Sequence, residues 1–358
     1  MSFWRFLLKI LCKPSLSISL ATVATALLLG VGLVLIIGTP VNDAVSAFAD
    51  GAWGSPYVIA ASINRSLAFA LVGIGFVFAN RAGLTNVGGE GQIAVGGMVA
   101  TAVSLYGGVA HLPYGLSYML PMAAAAVGGA LWGAIAGLLK AKVGTSEVIS
   151  TLLLSFIAVW ALYGSVQSEA LLRQPMTNSA TLPESLEIPN GTKLPLLISN
   201  YAMPLHIGLP LTLILAVLVA VALGKTTFGL KLQAVGLNPR AARRAGISLE
   251  RSILVALSVA GAFGGLAGAL MLQGGQYVLN AGFSSGYGFD GLVVGLLARG
   301  SIAGVIAGAL LFGFMRSGGI NMEMMASVPS ALITVIQGLI ILILAGAAFW
   351  IDRKEAGK

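Results

Sequence analysis

The chain has 358 residues, 57% of them hydrophobic and 9% charged, with a formal net charge of +8 and a mean hydropathy of +0.95. Soluble domains carry about 25% charged residues, so this composition excludes a large soluble domain and points to a polytopic, all-α membrane protein. A spanning helix takes roughly 20 apolar residues, which leaves room for about ten spans joined by short loops.

Residues 1–15 hold Arg5, Lys9 and Lys13 and are expected to form a cytoplasmic tail. The apolar run from Leu16 to Gly38 is longer than the about 7–15 residues of a signal-peptide core, so it is expected to be retained as a first span, although Ala47-Phe48-Ala49 resembles a cleavage site. Apolar runs place further spans near 57–79, 84–106, 117–139, 146–166, 204–224, 252–273, 283–298, 301–318 and 326–350. The membrane region thus covers 16–350, with a second tail at 351–358.

Lys and Arg concentrate in cytoplasmic segments. With the N-terminus inside, 16 of the 20 basic residues fall on the inner side, so the basic loop 225–251 is expected in the cytoplasm. This accounts for the net charge without a nucleic-acid partner. Segment 167–203, with Pro175, Pro183, Pro189 and Pro195, reads as an irregular outer loop. An even number of spans places both termini inside.

Within the basic loop, Gly229–Ser248 carries Lys231, Arg240, Arg243 and Arg244 and no acid. Asn238 suits an N-cap, Pro239 the first helical position, and Gly246 the residue just past the end. A short capped helix contributes nothing to spanning a bilayer; its expected use is to dock on a protein or to lie against anionic lipid headgroups. Gly224-Lys225-Thr226 is not a phosphate loop. Such a loop needs Gly five residues before its Gly-Lys pair, and Val219 stands there.

Two stretches echo each other. Gly83–Gly97 reads GLTNVGGEGQIAVGG and Gly282–Leu296 reads GFSSGYGFDGLVVGL; further on, GGALWGAI (128–135) matches AGALLFGF (307–314). By the topology above, the first copy enters from inside and the second from outside, so the repeat is inverted. That is the architecture of many transporters, with substrate held between the halves. Glycines at 129, 133 and 137, at 300, 304 and 308, and at 264 and 268 are spaced by four, a helix-packing signal. Asn86 and Glu90 are four apart and expected on one helix face. With Tyr287 and Asp290 they are the candidate substrate-pathway residues, since polar groups at membrane depth are costly. For Glu90 and Asp290 a hydrogen bond that only supports packing is the open alternative. His111 and His206 are isolated, no spacing makes a metal site, and no nucleophile, base and orienter set exists, so no enzyme activity and no cofactor in this chain are expected.

Four stretches carry a resemblance: GLTNVGGEGQIAVGGMVA (83–100), EVISTLLLSFIA (147–158), GLKLQAVGLNPRAARRAGI (229–247) and GFDGLVVGLLARG (288–300). In this order they resemble permease subunits of bacterial ABC importers of the branched-chain amino acid, simple sugar and nucleoside class, most of all the simple sugar and nucleoside subgroup. Where that subgroup often has Asn just before Glu-Val-Ile, this chain has Thr145-Ser146. The resemblance implies an inner-membrane permease translocating a simple sugar or nucleoside. It implies ATP hydrolysis in a separate cytoplasmic ATP-binding subunit, a second permease subunit in a homo- or heterodimer, and an external substrate-binding protein. It makes Asn238, Pro239, Arg240, Arg243, Arg244 and Gly246 the element that couples to the ATPase. A branched-chain amino acid permease, or a proton-coupled secondary transporter using Glu90 or Asp290, is the alternative.

Overall fold

The computed structural model describes residues 28–339, apart from 114, 178–181, 199–201 and 330. Among these residues the fold is helical, and β pairing is confined to isolated bridges at Arg173–Ser185, Glu184–Asn280 and Leu196–His206. The helices are α1 Leu28–Ile37, α2 Val41–Trp53, α3 Pro56–Arg81, α4 Gly89–Tyr106, α5 Leu116–Leu138, α6 Glu147–Gln167, α7 Gly208–Lys225, α8 Thr227–Leu237, α9 Pro239–Arg244, α10 Leu249–Met271, α11 Tyr287–Leu297 and α12 Ile302–Ala326, followed by α13 over 331–339. Wider π turns extend α5 to Val143 and α10 to Gln276.

Six of these are long and apolar enough to cross a membrane: Pro56–Arg81, Leu116–Val143, Glu147–Gln167, Gly208–Lys225, Leu249–Gln276 and Ile302–Ala326. They answer to six of the expected spans. The expected span at 84–106 is α4, which begins only at Gly89. The expected span at 283–298 is corrected to the eleven-residue α11. At 1.5 Å per residue that helix is about 16 Å long, roughly half of a hydrocarbon core of about 30 Å. It cannot start earlier because Ser285 (φ 41) and Gly286 (φ 82) are left-handed, a backbone that no α-helix runs through. The expected first and last spans, 16–38 and 326–350, lie partly outside the described residues, and the tails 1–15 and 351–358 lie wholly outside them.

Two helices stand where loops were expected. In α2, Ala44, Ala47 and Ala52 are buried while Asp43 and Asp50 are exposed, the one-sided pattern of an amphipathic helix. Helix α8 is capped by Thr226, whose hydroxyl accepts from the Gly229 N–H at 3.2 Å. After α6, the described residues of segment 167–203 are irregular, as expected, apart from a 3₁₀ turn at Asn190–Thr192.

The chain divides into two units, Met1–Ser62 with Phe314–Lys358, and Ile63–Gly313. In the first, Val34, Ala44, Ala47, Met322, Leu332 and Ile336 share a core. Asn321 donates its side-chain N–H to the Ala47 carbonyl at 2.7 Å, and Trp53 stacks on Phe314 at 5.9 Å between centroids.

In the second unit α4, α5 and α10 pack backbone to backbone. A Cβ on Gly129 would collide with the Gly261 carbonyl, one on Gly133 with that of Leu257, and one on Gly265 with that of Ala125. On the other flank of α10, a Cβ on Gly268 would meet the Ile93 carbonyl. Small residues every fourth position permit this approach, as the spacing suggests. The 300–308 series differs: Gly300 is a turn residue at φ +81 ahead of α12, with open space around it.

Candidate translocation site and coupling surface

The segment between α3 and α4 carries Asn86. It lies ahead of the helix, so Asn86 and Glu90 do not share a helix face; the sequence spacing is corrected by an irregular stretch at 84–88. The buried Asn86 side chain forms a reciprocal amide pair with Gln92, Nδ2 to Oε1 at 3.0 Å and Oδ1 from Nε2 at 3.2 Å, and Oδ1 also accepts from the Gly88 N–H at 3.0 Å. Helix α6 supplies further acceptors: Thr151 Oγ1 takes the Val87 N–H at 3.1 Å, and Ser155 Oγ takes the Gly91 N–H at 3.3 Å. The first N–H groups of a helix have no partner inside it. Here a neighbouring helix provides the acceptor for Gly91 in the first turn, and another for Val87 just ahead of the cap.

Glu90 extends from the first turn of α4 to the start of α11. Its Oε1 accepts from the Gly286 N–H at 2.9 Å and its Oε2 from the Gly288 N–H at 2.8 Å. The left-handed Ser285-Gly286 pair turns the chain so that both N–H groups face one carboxylate. A carboxylate at a helix N-terminus also meets the positive end of the helix dipole. The two helices touch so closely that a Cβ on Gly288 would collide with the Glu90 backbone. Tyr287 stands between the two bonded residues and stacks on Phe69, with centroids 4.7 Å apart and planes 10° off parallel. Asp290 is half-buried in the first turn of α11. The structure therefore brings Glu90 and Tyr287 together, keeps Asp290 within a turn of them, and commits the Asn86 side chain to Gln92. The residues of this candidate site not singled out at the sequence level are Gln92, Thr151, Ser155, Gly286 and Gly288. Their signal was present in the GGEGQ, EVISTLLLS and GYGFDG stretches, but a hydroxyl or glycine does not announce which N-terminus it serves.

The basic element forms as expected. Asn238 caps α9, its Oδ1 accepting from the Ala241 N–H at 3.1 Å, with Pro239 in the first turn. Gly246 is left-handed at φ +81, and the Gly246 and Ile247 N–H groups close on Arg243 and Ala242 carbonyls at 3.0 Å each. Arg240, Arg243 and Arg244 are exposed while Ala242 is buried. Beside them, at the end of α8, Leu237 is 78% exposed, a residue the sequence did not single out.

The irregular segment after α6 is pinned to the end of α10. The wholly buried Gln273 donates its Nε2 to the Thr192 carbonyl at 2.7 Å and to the Tyr118 carbonyl at 3.1 Å. The Ile188 N–H bonds the Tyr277 carbonyl at 3.0 Å, and the Lys193 ammonium lies 4.7 Å from the Tyr277 ring centre. His206, just ahead of α7, is buried, and its Nδ1 accepts from the Gly208 N–H at 3.1 Å. Burial pushes its pKa down to about 4, because desolvation disfavours the charged imidazolium. Among the described residues no cluster of His, Cys, Asp or Glu could hold a metal ion.

Apolar spanning helices, a half-length helix whose N-terminus is capped from another helix, and a basic capped helix in a loop define a multi-pass membrane transport component. Residues 58–345 match the family described as branched-chain amino acid transport system permease component, and the chain belongs to it: it is a permease subunit of an ABC transporter. The chain is 34% identical to the guanosine ABC transporter permease protein NupP of Bacillus subtilis, over 94% of this chain and 93% of the relative. It is 33% identical to a glucose ABC transporter permease protein of Haloferax volcanii, over 92% and 87%. It is 31% identical to the nucleoside ABC transporter permease protein NupB of Lactococcus lactis, over 82% and 80%. No solved structure matches. Family membership decides for the ABC permease over a proton-coupled secondary transporter.

Proposed function

We propose that this permease imports a simple sugar or a nucleoside across a bacterial inner membrane. The observation that carries the reading is that relatives named for guanosine, glucose and nucleosides match nearly the whole chain at 34%, 33% and 31% identity. A pathway poor in formal charge suits such cargo. The cargo is delivered by an external binding protein docking on the outer loops, and ATP is used by a cytoplasmic partner, with no cofactor in this chain. A second permease subunit, identical or paralogous, completes the path.

The membrane region, 16–350, is an inverted repeat of about ten spans with both termini inside. The meeting of the α4 and α11 N-termini supports this reading. Helices that enter from opposite sides and stop against each other are the discontinuous elements that transporters place at a midplane site. Asn86, Glu90, Tyr287 and Asp290 then flank the path, with Glu90 shaping it through α11. The coupling element is Asn238, Pro239, Arg240, Arg243, Arg244 and Gly246, within the inner loop 225–251. Exposed Leu237 beside these arginines favours a protein partner, since lipid headgroups need charge alone while a protein cleft also takes an apolar anchor.

Reconstitution with the cognate ATPase and binding protein tests the cargo. ATP-dependent uptake of labelled guanosine or glucose is expected to exceed that of leucine. Leucine uptake equal to or above both would move the protein to the amino-acid branch of its family.

A further inference from the structure

A cavity of about 490 Å³ opens within the 63–313 unit, between the end of α3, the end of α7, α8 and the turn at Arg299-Gly300. That volume falls in the range of small-molecule pockets. Its polar wall is Asn80, Arg81, Gln233 and Arg299; Leu223 and Ile302 form part of its apolar wall, and no acid lines it among the described residues. Arg81 donates one Nη2 hydrogen to Gln233 Oε1 at 2.9 Å. Its Nε–H is buried and has no acceptor among the described residues. A buried donor left unmade is costly, and two guanidinium groups without a carboxylate between them call for an anion. Arg299 is exposed and held at φ 46 by the turn.

We propose that this cavity binds a phosphate group, and that its source is an anionic phospholipid. Guanidinium forks match phosphate oxygens. A headgroup held between Arg81 and Arg299 would leave its ester chains against Leu223 and Ile302, beside α7, whose Ile214, Val217, Leu218 and Val221 are exposed. A free phosphate or phosphate ester would use the same arginines but leave the apolar wall unused. The cavity wall runs directly into the coupling element. Gly236 of α8 lies against the chain at Arg81, where an added Cβ would come within 2.6 Å of the Arg81 carbonyl, and Asn238 follows two residues later. A phosphate bound here would hold α8 and α9 against the end of α3 and, on the reading of α9 as the coupling element, act on coupling without touching the cargo. This site does not depend on which solute the permease carries.

The test uses the purified full-length chain in detergent, with lipids counted by native mass spectrometry. The probes are dioleoyl phosphatidylglycerol, dioleoyl phosphatidylcholine and inorganic phosphate. The parent is expected to retain phosphatidylglycerol roughly tenfold more tightly than phosphatidylcholine. Gln233→Glu, which sets a carboxylate against Arg81 without emptying the wall, should erase that preference. Arg299→Gln alters an exposed side chain and should do the same, so the test stands even if Gln233→Glu misfolds. If phosphate binds the parent but neither variant while the lipids bind alike, the phosphate site stands and its source is soluble. Equal retention of the two lipids with no phosphate binding overturns the proposal, as does a phosphatidylglycerol preference that survives both substitutions.

Discussion

Glu90 links the two motif-bearing helices through both of its oxygens. Glu90→Gln keeps the size but turns one acceptor into a donor that must face the Gly286 or Gly288 N–H. A buried donor without an acceptor costs about 1–3 kcal/mol, so the variant is expected to melt earlier in detergent and to lose ATP-driven uptake. Parental melting and parental uptake together would remove the carboxylate from any role. His206 offers a pH prediction. Its pKa is about 4 in the fold against about 6.5 in an unfolded chain, so the unfolded state binds the proton first as pH falls. The stability it contributes is complete above about 6.5 and is lost on the way down to about 4, on the order of 3 kcal/mol across the window. Thermal melts of the parent should decline over that range more steeply than those of His206→Gln, and parallel curves would rule the imidazole out as the cause.

At the scale of elements, α9 separates charge from shape. Ala242 is buried, so replacing it would disturb packing, whereas Asn238 is exposed and acts through one cap bond. Asn238→Ala removes about 1 kcal/mol of capping and leaves every arginine in place. Lipid anchoring should survive it, while recovery of the ATPase on co-purification and ATP-driven uptake should fall together. Uptake and ATPase recovery at parental levels would leave only the lipid role for the arginines. The glycine seam between α5 and α10 makes a second element-scale prediction. Gly129→Val forces a branched side chain into the Gly261 carbonyl, and overpacking of this kind costs about 1–3 kcal/mol or more. Monodisperse yield on size-exclusion chromatography should drop, whereas Gly164→Val, in open space on α6, should leave it unchanged.

For the whole molecule, the distribution of Lys and Arg predicts that the outer loop and the coupling element face opposite sides. Gly236 is unsuitable for a cysteine because its backbone packs on Arg81, but Leu237 and Thr177 are both exposed. In intact cells of a Cys12→Ser background, Thr177→Cys should react with an impermeant maleimide and Leu237→Cys should react only after permeabilisation. Labelling of both in intact cells would discard the inverted, ten-span arrangement.

Composition alone determined that the chain lives in a membrane, because apolar content at this level has no other solvent. Hydropathy runs located the long helices, since each must satisfy its own backbone inside lipid. Local chemistry located α9, because an Asn-Pro start and a Gly stop act within one turn. The tertiary structure decided what depends on contacts between distant residues. Asn86 and Glu90 are four apart in sequence yet serve different partners, because Asn86 lies in the irregular stretch ahead of α4. The expected span 283–298 shrank to α11 because its N-terminus ends on a carboxylate 196 residues earlier in the chain. Helix α2 escaped notice because its 13 residues are too few for a span and include Asp43 and Asp50, so a search for long apolar runs passes over it. The Arg81–Arg299 cavity was invisible because its wall is assembled from four separate segments, and no spacing along one chain encodes their meeting.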